Sequence, residues 1–499
     1  MSHDVLIAGA GPVGLFLALQ LTARGRGVRL VEAGSAPAEQ SKAIFLTPRT
    51  LETFRIAGIV APFETGAHRL SHAKVYSQQR LLGKFSLEPK QSWYDYVAVL
   101  PQNVTERILL ERLVAAGGTV EYDTQLVGLV DAPDGVNVRL VTPRGDERAW
   151  ARYVVGCDGA GSTVRRLIGL EFEPSTDRGA FVVADIDTVG DVPADELTFC
   201  VHEAGLLAIV PITAKRRRIV AMVGTAVEGD VSADLANELI GARGPWNIGA
   251  TRVRWSARLP AMNLQAPGMQ KGSIFLAGDA SHVLTPAAGQ SLNVGLQDAF
   301  NLAWKLDYAL AGFSTNGLLP SYAQERHRVA KDLIRAIDIG TRVIESKNAI
   351  VRGLRDWATP NLLESKRFQR YFTAQFLGLG VRYAESPIVD GTGRRAKDDL
   401  VRVDGRERRL YDVLDGRYLL VYPASSPVAV AVAFENFTQH YGGAVIAISA
   451  EEDGLPFARL VRPDGYVALE TPAGDDPTPA LERLARLLAT HVRRVGRAS

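Results

Sequence analysis

Asp4-Val5-Leu6-Ile7-Ala8-Gly9-Ala10-Gly11-Pro12-Val13-Gly14 stands near the start of the chain, and its reading decides the fold. Five residues of strand character run into G-x-G-x-x-G, and Leu15 to Leu21 continues as helix. Strand, tight turn and helix form the context in which that hexapeptide binds a dinucleotide. Gly9 permits the turn, Gly11 lets the backbone approach a pyrophosphate, and Gly14 brings helix close to strand. Pro12 suits the first helical turn, where its missing N–H has no partner to lose. That helix start, with Val13, offers free N–H groups to phosphate. A second strand, Val28 to Val31, ends in Glu32. An acid about twenty residues past the glycines accepts from the hydroxyls of an unphosphorylated adenosine ribose, as in FAD or NAD.

With 499 residues the chain can hold two or three domains, each with its own core. The 46% hydrophobic and 22% charged residues are those of a soluble globular protein. A net charge of +2 gives no pull toward nucleic acid. The cluster Lys215-Arg216-Arg217-Arg218 precedes a strand and reads as a solvated turn. Cys157 and Cys200 lie far apart, so the pattern offers neither a disulfide framework nor a cysteine metal site, and it suits a reducing cytoplasm. The apolar N-terminal stretch lacks the basic residues of a signal peptide. No segment has the ~18 uninterrupted apolar residues of a membrane span.

Further along, Pro101-Gln102-Asn103 opens a helix, with Asn103 as N-cap and Glu106 completing a capping box. Cys157-Asp158-Gly159-Ala160-Gly161-Ser162 is a second motif, in which a strand delivers an aspartate and a glycine to a loop and Ser162 caps the next helix. From Gly179 to Arg258 strands dominate, one of them running from Arg218 to Val227, and this half-exposed sheet interrupts the nucleotide fold.

The third motif is the longest. A strand to Ala277 ends in Gly278-Asp279-Ala280-Ser281-His282, followed by Pro286, Gly289-Gln290-Ser291-Leu292-Asn293 and a helix. Asp279 can accept from a ribityl hydroxyl, and the N–H groups from Gly289 onward can stabilise a reduced flavin. His282 reads as a structural histidine. Helices follow from Leu318, then a polar linker from Asp390 to Arg409, then strand, helix, three strands and helix from Tyr418.

In order and spacing, these three motifs resemble the class A flavoprotein aromatic hydroxylases, the family of p-hydroxybenzoate hydroxylase, in the phenol- and polyketide-hydroxylase branch. The resemblance covers essentially the whole chain. It implies an α/β architecture: a Rossmann-like FAD-binding fold over 1–175 and 265–390, with 70–100 contributing to the substrate side. A β-sheet substrate domain would be inserted at 176–264, and a C-terminal thioredoxin-like domain, without a redox dithiol, would follow at 391–499. It implies FAD contacts from Gly9, Gly11, Pro12, Val13, Gly14, Glu32, Gln102, Asp158, Gly159, Gly278, Asp279, Pro286, Gly289, Gln290, Leu292 and Asn293. Two of its contact positions are changed here: Lys42 stands where the family usually has arginine, and Ser291 where it has glycine. An arginine usual before the third motif's strand is replaced by the region Asn263-Leu264-Gln265.

The activity implied is monooxygenation. NADPH or NADH would visit transiently and reduce the flavin, O2 would form a C4a-hydroperoxide, and oxygen would pass to a small phenolic or polyketide-type aromatic ring. No catalytic side chain is assigned and no metal is expected. The substrate pocket would be lined by 197–211, 221–223 and Thr285-Pro286. A monomer or homodimer with no nucleic-acid or membrane partner fits these features. An NAD-dependent dehydrogenase or a non-catalytic flavin-binding protein are the alternatives. A flavin halogenase is disfavoured, because Trp246 and Trp255 are too far apart for its W-x-W motif.

Overall fold

Val5, Leu6 and Ile7 are fully buried, which places β1 (Ser2–Ala8) in the middle of a sheet covered on both faces. A computed structural model describes residues 2–39, 41–173, 179–190, 193–224, 231–245, 248–286, 289–344, 346, 348–403, 406–450, 458–471 and 476–494. The expected 175/176 boundary, the end of the strand to Val227, and Trp246 lie outside the described residues.

α1 (Pro12–Thr22) follows β1, and β2 (Val28–Val31) lies parallel to it. α2 (Pro48–Ile56), α3 (Gln102–Ala115) and β3 (Gly145–Gly156) come next along the chain. The parallel core of this eight-stranded sheet runs Ile274–Leu276, β3, β1, β2, Val120–Glu121, with antiparallel strands Gln270–Lys271, Gln125–Ala132 and Gly135–Thr142 added outside it. Its register is the feature that matters for function. Ala8 lies opposite both Val31 and Gly156, and Gly156 lies opposite Leu276. The chain segments carrying Gly9–Gly11, Glu32, Asp158–Gly159 and Gly278–Asp279 therefore all leave the sheet at one edge, where open α/β sheets place their ligands.

α4 (Thr163–Leu167) follows β3, and a seven-stranded sheet then begins with β4 (Ala180–Val189). β5 (Arg216–Val223) pairs antiparallel with β4 on one side and with the central strand Gly205–Pro211 on the other. The sheet is completed by a hairpin from the first hundred residues, His72–Ser77 and Arg80–Ser86, joined in parallel to Glu196–His202. The two sheets face each other across the edge just described, and their facing surfaces bound one cavity.

α5 (Ser291–Leu310) is buried along nearly its whole length and packs on α1. α6 (Pro320–Ile344), α7 (Ala349–Glu364) and α8 (Lys366–Phe376) follow. The last part holds a four-stranded sheet ordered Val445–Ala450, Tyr418–Pro423, Ala458–Val461, Val467–Thr471, with helices Val428–Gln439 and Thr478–Ala489. It is fastened to the body by charge as well as by apolar contact. Arg462, wholly buried, donates to both oxygens of Glu325 on α6 at 2.6 and 2.9 Å. Lys305 and Asn301 of α5 donate to the same carboxylate. Burial opposes the Glu325 charge, but Arg462 and Lys305 hold it below the usual carboxylate range, while burial lowers Lys305 to about 8.

Two local expectations are corrected. α3 starts at Gln102 with Pro101 at the cap, so Asn103 sits inside the first turn and no capping box forms. Proline's fixed φ suits the helix entry, and Glu106 instead accepts from Gln102 Nε2 at 2.8 Å. The segment 390–409 is also no free linker. Ala396 is fully buried, and Arg395 pairs with the buried Glu52 at 2.9 Å. A polar composition conceals such packing when each charge finds a partner from elsewhere in the chain.

Candidate functional site

Between the sheet edge and the seven-stranded sheet lies a cavity of about 580 Å³. Gly9, Gly11, Pro12, Val13, Glu32, Lys42, Gln102, Asp158, Gly159, Asp279, Pro286, Gly289, Gln290, Ser291 and Leu292 line it. Gly14, Gly278 and Asn293 stand behind the wall. A Cβ on Gly14 would lie 1.9 Å from the Gly9 carbonyl oxygen, and one on Gly278, at φ +61°, would meet Val13 at 2.9 Å. A Cβ on Gly11, by contrast, would meet nothing within 4 Å. The turn is thus closed on its helix side and open on its cavity side.

Asn293 is a clamp. Its side-chain oxygen accepts from Thr47 N–H at 2.9 Å and from Thr50 Oγ1 at 2.7 Å, and its amide donates to the Phe45 carbonyl at 3.0 Å. The clamp joins the start of α5 to the start of α2.

The polar groups on the wall are oriented before any ligand arrives. Glu32 accepts from the Ala10 and Gly34 N–H groups at 2.7 and 2.9 Å, so the ribose-side acid is tied to the glycine turn. Asp158 accepts from Thr163 and Val164 N–H at the start of α4 and from Ser162 Oγ, while Ser162 Oγ accepts from Arg165 N–H. Gln102 accepts from Ala43 N–H at 3.0 Å. Ser291 Oγ donates to Asp279 Oδ1 at 2.5 Å, a contact that glycine at 291 could not make. Lys42 is exposed, and its carbonyl accepts from Arg218 at 3.3 Å. His282 is fully buried, bonded to Asp298 at 2.7 Å and absent from the cavity lining.

The opposite wall is apolar, formed by Val183, Leu197, Phe199, Ala208, Val210, Val220 and Leu259, with Leu284, Thr285 and Pro286 at the rim. Residues 221–223 do not reach it. Alternation along β5 turns Ala221 and Val223 into the core on the far side of the sheet.

The same alternation overturns the reading of Lys215–Arg218 as a solvated turn. Arg217 and Arg218 are in β5 and are 2% and 1% exposed. Arg218 lines the cavity, holds Asp185 at 2.7 and 2.9 Å, and lies 5.1 Å from the Trp255 ring centre. Asp185 on the neighbouring strand and Trp255 on the strand beyond it are the partners that no local pattern announced. The only sequence signal was a basic residue in phase with apolar ones on the same strand.

A family model described as FAD binding domain matches residues 2–337. The chain belongs to the FAD-dependent aromatic hydroxylase family. Within that family it is 33% identical to the 12-dehydrotetracycline 5-monooxygenase/anhydrotetracycline 6-monooxygenase of Streptomyces rimosus, over 94% of this chain and 95% of that one. It is 31% identical to the rifampicin monooxygenase of Streptomyces venezuelae, over 96% and 98%. The solved anhydrotetracycline hydroxylase of Streptomyces rimosus superposes with a TM-score of 0.80 at 29% identity, covering 97% of this chain and 99% of that one. FAD is the cofactor of this flavoprotein family, and the cavity fits it: a glycine cradle open toward the ligand, a bonded acid at the ribose position, and the N-terminus of the 20-residue α5 at the far end.

Proposed function

We propose that this FAD-dependent monooxygenase consumes NAD(P)H and O2 to hydroxylate a phenolic or fused-ring polyketide-type aromatic molecule. The supporting observation is the two-sided cavity, one wall a dinucleotide cradle and the other an apolar sheet face. When bound, FAD supplies the redox chemistry, accepting hydride from NAD(P)H and activating O2 for transfer of one oxygen atom to the ring.

The chain's residues do the rest. Gly9–Gly14 and the start of α1 hold the diphosphate. Glu32 takes the ribose, and Asp279 takes the ribityl chain. The backbone N–H groups from Gly289 to Ser291, at the positive end of α5, stabilise negative charge that gathers on the pyrimidine side of the ring system. Asp158, with its oxygens already bonded to the start of α4, shapes the loop beside the diphosphate and keeps that helix end in place. Val183, Phe199, Val210 and Val220 clamp an aromatic ring and keep water from the reacting oxygen.

The test is a panel of phenols, hydroxybenzoates and fused-ring polyketides, with coenzyme loss followed spectrally and product mass measured under labelled O2. Labelled product from an accepted substrate supports the reading. Turnover that proceeds equally well without O2 overturns it in favour of a dehydrogenase, and a yellow protein inert to the whole panel leaves a flavin-binding module.

A further inference from the structure

Arg462-Pro463-Asp464-Gly465 is the turn between the strands Ala458–Val461 and Val467–Thr471 of the C-terminal sheet, and it reaches into the body of the protein. Asp464, 2% exposed, meets two helices there. Its carbonyl accepts from Arg49 Nη2 of α2 at 2.7 Å. Its Oδ2 accepts from Asn301 Nδ2 and Trp304 Nε1 of α5 at 3.1 and 3.2 Å. Arg462 donates to both carboxylate oxygens, at 3.0 and 2.6 Å, which fixes the orientation of the side chain. The turn is seated tightly on α2: a Cβ on Gly465 would lie 3.0 Å from Ile56 Cδ1. Tyr466 continues that contact, with the Arg49 guanidinium 4.8 Å from its ring centre.

α2 and α5 are also the two helices whose starts meet at the flavin cavity. Asn293 accepts there from Thr47 and Thr50, and Gln290, Ser291 and Leu292 just before it line the cavity. One pair of helices is therefore joined twice, at the cavity by Asn293 and further back by Asp464. Asn301 lies about two turns along α5 from Asn293, roughly 12 Å. Asn301 and Trp304, three residues apart, share one face of that helix. Close-packed interiors transmit strain, so a shift at Asn301 reaches the backbone N–H groups at the front of buried α5. Among the described residues none beyond Leu292 lines the cavity, so the C-terminal part can act on the flavin only through such a path.

We propose that Asp464 is a positioning residue for the flavin. It sets the spacing of α2 and α5 from behind and, through the Asn293 clamp, aims the N–H groups from Gly289 to Ser291 at the ring system. This rests on the placing of the α5 N-terminus proposed above, in which those groups stabilise negative charge on the reduced ring. The C-terminal part, which contains no cysteine, thereby influences the redox chemistry without taking part in it.

The experiment uses the FAD-loaded full chain and two variants, Asp464→Asn and Val430→Ala. Asn keeps the size of the side chain and the main-chain bond to Arg49, but it loses the charge and one of two acceptor oxygens that are both in use. Val430 is buried on the helix Val428–Gln439, which packs on Val445–Ala450 at the opposite edge of the sheet, so its truncation weakens the same domain away from the turn. The flavin midpoint potential is read by dithionite titration against a reference dye. Asp464→Asn is expected to lose at least tenfold in its preference for reduced over oxidised FAD, a potential lower by about 30 mV. Val430→Ala should unfold earlier in denaturant and keep the wild-type potential. A preference within twofold of wild type in Asp464→Asn, or an equal fall in Val430→Ala, overturns the proposal. Should Asp464→Asn fail to fold, Trp304→Phe deletes only the Nε1 donor to Asp464; it is expected to lower the preference about threefold, and an unchanged value overturns the proposal. The titration uses no coenzyme, substrate or O2. A lowered Asp464→Asn potential in a protein that yields no labelled product supports the positioning role and refutes the monooxygenase reading, whereas labelled product with an unchanged potential does the reverse.

Discussion

Ser291 Oγ donates to Asp279 Oδ1 at 2.5 Å, bridging the first turn of α5 and the loop after the strand Ile274–Leu276. Asp279 is exposed, and this bond fixes the direction of its carboxylate. We expect Ser291→Ala to weaken FAD binding roughly fivefold, the effect of a hydrogen bond worth about 1 kcal/mol at a solvated site. Flavin dissociation followed by fluorescence checks this, and an unchanged constant would show that the hydroxyl is idle.

Gly11 and Gly14 separate binding from folding. A side chain at Gly11 enters the cavity without touching protein, so Gly11→Val should give folded, colourless apoprotein. A Cβ at Gly14 runs into the Gly9 carbonyl, so Gly14→Ala should cost on the order of 3 kcal/mol or more. Absorbance and circular dichroism distinguish the two. Full flavin occupancy in Gly11→Val would refute the cradle.

Arg462→Met strips two hydrogen bonds from Glu325 and one partner from Asp464, all in a fully buried cluster. Removing one member of a buried ion network costs about 3–5 kcal/mol. The cluster joins α5 and α6 to the C-terminal sheet, so the loss should appear in chemical denaturation of the whole chain and not of its last hundred residues alone. An early, separate C-terminal transition would contradict that.

Asp398 is the residue to watch with pH. Burial raises its carboxyl to about 6, and Oδ2, 4.0 Å from the Arg55 guanidinium, accepts no hydrogen bond among the described residues. A folded value above the unfolded one means a stabilising contribution that is full below about pH 4 and lost as pH rises through 6. Asp398→Asn should therefore be more stable than wild type at pH 7, by about 1–2 kcal/mol, and lose that advantage by pH 4. Denaturation at both pH values tests the sign.

Much of this was legible in the chain itself. The run from Asp4 to Gly14 is both a strand buried on two faces and a turn only glycine can make, so local chemistry alone determined the dinucleotide fold. The D-G loop and the loop from Gly278 were likewise readable, because each is a strand end feeding a helix start. What local pattern could not settle is where a side chain finds its partner. Asn293 reads as a ligand contact, yet its amide is taken up by Thr47, Thr50 and Phe45, more than 240 residues away. Arg218 reads as solvated, yet Asp185 on the adjacent strand neutralises it inside the cavity wall. Arg395 falls in a stretch that reads as a polar linker, yet it meets Glu52 in the core, where Arg462 likewise meets Glu325. The sequence determined the elements, their order and the nucleotide turn, since these depend on neighbours along the chain. Only the tertiary structure decided which charges are buried, because a charge enters a core only when a distant residue arrives to pair with it.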